Sequence, residues 1–119
     1  MAELQWTVTA GQPPYAVWMR VTQTHESVLA ELYGGTRPHL GAWAAVGPEA
    51  QVHSGAFGSH KELSLAQDAA QMLLQASGCN VVVVAGIHVD NATHGDIDLL
   101  CANAADVIHR AASRLADGS

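Results

Sequence analysis

The sequence predicts an α+β domain: a mostly antiparallel β-meander sheet of about five to six strands, with two helices in the C-terminal half packed on one face. Three observations predict it. Apolar and polar residues alternate with period two through much of the first half; apolar residues recur at helical spacing from Leu63 onward; and a continuous apolar run separates the two helical stretches.

Leu4, Trp6 and Val8 alternate with Gln5, Thr7 and Thr9, which predicts a half-buried strand over residues 4–9. Gly11-Gln12-Pro13-Pro14 forces a turn. A strand over 15–24 puts Tyr15, Val17, Met19 and Val21 on one face, Trp18 and Arg20 on the other. After His25-Glu26-Ser27 a third strand runs over 28–33, and the three make an antiparallel meander. A loop from Gly34 to His39 leads to a small-residue strand over 40–46, ended by Gly47-Pro48-Glu49. Residues 51–57 form a fifth strand that Gly55 weakens.

Leu63, Ala66, Ala70 and Leu73 then share one helical stripe, widened by Ala69 and Leu74, and Gly78 stops that helix. Residues 80–87 are rich in Val and Ile, the pattern of a strand buried on both faces. The last helix, over 95–115, carries Ile97, Leu100, Cys101, Ala104, Ile108, Ala111 and Leu115 on one side. Its acids Asp96 and Asp98 stand near the start and Arg110 and Arg114 near the end, each favourable to the helix dipole.

At 119 residues, 49% hydrophobic and 13% charged, the chain reads as a single domain over 1–119 with an ordered core of about 4–115, and neither a disordered chain nor a coiled coil fits. Five Lys and Arg against eleven Asp and Glu, a net charge of −6, cannot supply the phosphate neutralisation that nucleic-acid binding needs. No segment approaches 18 apolar residues, so no membrane helix is expected. Met1-Ala2-Glu3-Leu4 has neither part of a secretory signal, and Cys79 and Cys101 read as two buried free thiols; both point to the cytoplasm. Two helices on one side leave the other face of the sheet to be covered, which makes a homo-oligomer the expectation.

Seven His outnumber all Lys and Arg, and Lys61 is the only Lys. Three loops concentrate the reactive side chains. The first, around Gly34, Gly35, Arg37 and His39, offers close backbone approach and a planar cation. In the second, Ser59 and Glu62 match capping-box spacing and put His60 and Lys61 on the first turn of a helix, an anion-binding terminus. The third ends the apolar strand with His88, Asp90, Asn91 and Thr93; His88 and Asp90 are two apart and can point the same way. Asn91 and Thr93 also suit a helix cap, whereas an imidazole at the end of an apolar strand is costly unless paired. His25, His53, His94 and His109 read as surface or local capping residues.

Gly34-Gly35 with His39-Leu40-Gly41, then Ser59-His60-Lys61-Glu62, then Ala85-Gly86-Ile87-His88-Val89-Asp90-Asn91, in this order and followed by a helix, resemble the small prenylated-flavin chaperones, the D component of gallate and other hydroxyarylic acid decarboxylases. The family's usual Gly before His-Lys-Glu is Ser59 here. The resemblance spans most of the chain and implies a non-catalytic role, binding prenylated FMN and delivering it to a UbiD-type decarboxylase. The residues expected to hold the cofactor are Gly35, Arg37, His39, Ser59, His60, Lys61, His88 and Asn91. A divalent metal bridging ligand and protein would draw on His39, His60, Glu62, His88 and Asp90. Trp18, Trp43 and Phe57 are the candidates for an aromatic wall. Two other readings stay open: a small His-rich metal-dependent hydrolase or lyase, with Glu62 or Asp90 as general base, and a purely structural accessory subunit.

Overall fold

A computed structural model describes residues 4–49, 51–58 and 61–118. The elements run β1 (Leu4–Ala10), β2 (Val17–Thr24), β3 (Ser27–Gly35), β4 (Ala42–Val46), β5 (His53–Ala56), α1 (Lys61–Ser77), β6 (Asn80–His88) and α2 (His94–Ala116). The strands form one six-stranded sheet in the order β1-β2-β3-β6-β4-β5. Every neighbouring pair is antiparallel except β3 and β6, which run parallel. The α+β class and the predicted order of elements therefore hold.

The period-two pattern sets the layers. Trp6, Val17, Met19, Val21, Ala30, Leu32, Ala44, Val81, Val83 and Ala85 are buried on one face of the sheet. Ala66, Ala69, Ala70 and Leu73 of α1, with Leu100, Ala104, Val107, Ile108, Ala111 and Leu115 of α2, complete that core. The alanines of α1 let its axis come close to the sheet, since a small side chain removes the spacer between layers. Arg110 tethers α2 to β1 by donating to the Thr9 carbonyl at 2.9 Å from both terminal nitrogens. Arg114 lies 4.3 Å over the Trp6 ring. Thr93 caps α2 through a full capping box with Asp96. No described helix is long and apolar enough to cross a membrane.

Three expectations are corrected. The run over 80–87 is buried on one face only: Val81, Val83 and Ala85 are covered while Val82 is 41% exposed, because both helices lie on the same side. The valines suit a pleated central strand whether or not both faces are covered. The thiols are free, but Cys79 is only half-buried and Cys101 is exposed. The buried stripe of α2 runs through Leu100, Ala104 and Ile108, and Cys101 sits on its flank. The fourth strand begins at Ala42 rather than at Leu40, which is exposed in the loop before it.

Candidate functional site

Because β3 and β6 are parallel, their C-terminal residues Gly35 and His88 are register partners and end side by side. The chain leaving β3 turns back across β6 at once. The Thr36 and Arg37 amides both donate to the His88 carbonyl, at 3.0 and 3.3 Å, and the Gly41 amide donates to the Ala85 carbonyl at 2.8 Å. Two glycines make this possible. Gly35 has φ +84, and a Cβ there would collide with the His88 carbonyl oxygen; a Cβ on Gly86 would collide with that of His39.

The loop is thereby clamped with its side chains grouped over the end of β6. His88 Nε2 donates to Asp90 Oδ1 at 2.9 Å, and Arg37 Nη1 donates to Asp90 Oδ2 at 3.3 Å. The His88 bond first, and the Arg37 bond second, hold the Asp90 carboxyl below the usual carboxylate range. His39 Nδ1 donates to the Arg37 carbonyl at 3.1 Å, and the rings of His39 and His88 lie 5.4 Å apart at 60°. His39 Nε2 and His88 Nδ1 have no hydrogen bond among the described residues. Asn91, at φ +56, turns the chain toward the Thr93 cap.

Two cavities meet at this pair of histidines. One of about 530 Å³ is lined by Arg37, Pro38, His39, His88 and Asp90. A second, of about 360 Å³, runs inward between the first turns of α1 and α2; its polar lining is His39, Glu62, His88, Asn91 and the Cys101 thiol. Leu65, Ile87, Val89, Ala92, Ile97 and Leu100 supply its apolar walls. Glu62 Oε2 is buried there with no hydrogen-bond partner among the described residues, an acceptor that a ligand donor can satisfy.

The structure thus brings together Gly35, Arg37, His39, Glu62, His88, Asp90 and Asn91. Ser59 and His60 lie outside the described residues, and Lys61 opens α1. Among the described residues no three His, Cys, Asp or Glu side chains group as a metal ion requires. Both Asp90 oxygens are engaged by His88 and Arg37. The aromatic wall is corrected: neither cavity is lined by Trp18, Trp43 or Phe57. Trp18 stacks at a tilt on Tyr33 on the uncovered face of the sheet, and Phe57 is 67% exposed after β5. The actual walls were missed. Their signal was the 3–4 spacing of Ile97, Leu100 and Cys101, which continues the apolar stripe of α2 back into its first turns. His25, His53, His94 and His109 are all exposed.

The sequence model of the prenylated flavin chaperone LpdD-like domain matches residues 11–116. The chain belongs to this family. The match spans both glycine clamps and every described residue lining the two cavities. No curated protein sequence matches the chain at a significant level. Among solved structures, one similar to this flavin chaperone is the crystal structure of a novel chaperone complex for yeast 20S proteasome assembly, with a TM-score of 0.67 and 12% identity over 97% of this chain and 96% of that one. At that identity the likeness is one of fold.

Proposed function

We propose that the chain binds prenylated FMN in the cleft at the C-terminal ends of β3 and β6 and delivers it to a UbiD-type decarboxylase. One observation carries the reading: a mouth lined by the Arg37 guanidinium and two imidazoles adjoins a chamber walled mostly by aliphatic side chains, and the two share His39 and His88. A phosphorylated, largely apolar ring system calls for that division. In this reading Arg37, Lys61 and the first turn of α1 hold the phosphate, and Ser59 and His60 are proposed to join them. His39, His88, Asn91 and the Gly35 turn hold the ring system where the cavities join. Glu62 Oε2 accepts from a ring N–H, the group whose bond it lacks among the described residues. When bound, the prenylated flavin would supply the electron sink of a decarboxylation; this chain holds it and does not use it.

Gel filtration of the purified chain with prenylated FMN tests the binding. The flavin should co-elute with a shifted absorption spectrum, and Arg37→Ala and His88→Ala should lose most of it. Full retention by both variants overturns the site assignment. Mixing loaded chaperone with a cofactor-free decarboxylase tests delivery. Activation should be faster than with free cofactor, and equal rates overturn it.

A further inference from the structure

The uncovered face of the sheet differs from the rest of the surface in charge. In the six strands together, Arg20 and Glu31 are the only Arg, Lys, Asp or Glu residues. They neutralise each other through three hydrogen bonds of 2.7 to 3.1 Å. The net charge of −6 therefore resides on the helices, loops and ends. Two copies of so acidic a chain repel one another least across this face.

Its apolar content is contiguous. Leu29, Val82 and Ala45 are register neighbours across β3, β6 and β4, and Glu31, Val84 and Trp43 form the next row. Leu29 is 40% exposed, Val82 41% and Trp43 36%. Trp43 packs its indole against Gly55 of β5, its register partner, where any Cβ would press into the ring. Five strand spacings of about 4.8 Å by strands of about 25 Å give a footprint of roughly 600 Å². With side-chain relief this nears the ~800 Å² of accessible surface per partner of a standard interface.

We propose that a second copy of this chain covers the face, sheet on sheet about a twofold axis. Aligned packing sets the layers about 10 Å apart, with Leu29 and Val82 of each copy near the axis and Trp18 and Trp43 toward the periphery. Each copy keeps its helices outward and its own cleft at the ends of β3 and β6. The inference is independent of what the cleft holds.

Sedimentation of the full chain from 1 to 100 μM, with the mass read by light scattering, tests it. The chain should run at twice 12.4 kDa. Val82→Glu should raise the dimer dissociation constant at least about a hundredfold, by placing unpaired carboxylates in a dry contact, with an unchanged circular dichroism spectrum. Leu99→Glu, on α2 and 44% exposed, should leave the dimer intact. A second readout covers the case in which Val82→Glu misfolds: iodide quenching of tryptophan in the unaltered protein should rise as the dimer is diluted apart. A monomer at 100 μM, a dimer indifferent to Val82→Glu, or quenching unchanged on dissociation each overturns the proposal. A monomer that loses decarboxylase binding on Val82→Glu also overturns it and assigns the face to that partner.

Discussion

Replacing Asp90 by Asn separates phosphate binding from metal binding at the mouth lined by Arg37 and His88. The change removes one negative charge and keeps the side chain's shape and one carbonyl acceptor. Asp90 now engages Arg37 at 3.3 Å and His88 at 2.9 Å. A phosphate seated on the far side of the Arg37 guanidinium stands about 7 Å from that carboxylate, allowing a second charge-assisted contact of ordinary length. At this distance, with aqueous screening and about 0.15 M salt, repulsion of a ligand carrying about −1.5 to −2 charges weakens binding by about twofold. Asp90→Asn should therefore tighten binding of prenylated FMN by about that factor. The dephosphorylated compound should bind the variant and the unaltered chain alike. Fluorescence titration of both ligands at two salt concentrations measures this, and the difference should shrink at the higher one. A metal-centred site demands the reverse, because a lost carboxylate ligand weakens the metal. Unchanged or weaker binding of the phosphorylated ligand to Asp90→Asn would refute the electrostatic reasoning.

Gly35→Ala adds a Cβ at φ +84 against the His88 carbonyl and disturbs the two amide bonds that carbonyl accepts. It should lower unfolding free energy by about 3 kcal/mol in urea titration and abolish flavin retention without removing a side chain; a loss below about 0.5 kcal/mol would show that the clamp yields freely. Glu62→Gln neutralises a carboxylate that has one buried oxygen without a partner among the described residues. It should stabilise the ligand-free chain by about 1 kcal/mol while weakening flavin binding about tenfold, and equal binding would remove Glu62 from the ring contact. The Asp96 carboxyl is held below its ordinary range by the Thr93 backbone amide first and the Tyr15 hydroxyl second. A depressed folded value adds stability that is fully present above about pH 4 and is lost as pH falls through that value. Urea midpoints between pH 2.5 and 6 should fall less steeply with acid in Asp96→Asn, and identical slopes would contradict the assignment.

The order of strands and helices was legible because each element carries its own period. Val17, Met19 and Val21 face the core as their alternation requires, and Ala66, Ala70 and Leu73 share the predicted stripe. What no local period carries is where β6 enters the sheet. It inserts between β3 and β4, and this choice makes neighbours of loops about fifty residues apart, such as Arg37 and Asp90. The convergence of His39 and His88 was inferred from reactive residue types alone, and the geometry agrees. The aromatic wall expected of Trp18, Trp43 and Phe57 fails, since Trp18 and Trp43 are bulky residues on the face that no helix covers, and composition does not tell one face of a sheet from the other.

The one parallel pairing in the sheet decides what the site is made of. A meander that continued antiparallel from β3 would place the end of β3 and the end of its next neighbour at opposite edges. With β6 parallel to β3, Gly35 and His88 finish together. The helix that enters β6 and the helix that leaves it must both begin at that same edge, so the first turns of α1 and α2 face one cleft. Their amide ends favour an anion. Glu62, Asp90, Asp96 and Asp98 stand at the same end of the fold, so the grip comes from directed donors and not from a broad positive field. Arg37 in particular is already shared with Asp90. A carrier must surrender its cargo, and a guanidinium half-neutralised by its neighbour holds a phosphate without holding it fast. In the proposed reading, retention and release would both run through the Arg37–Asp90 ion pair.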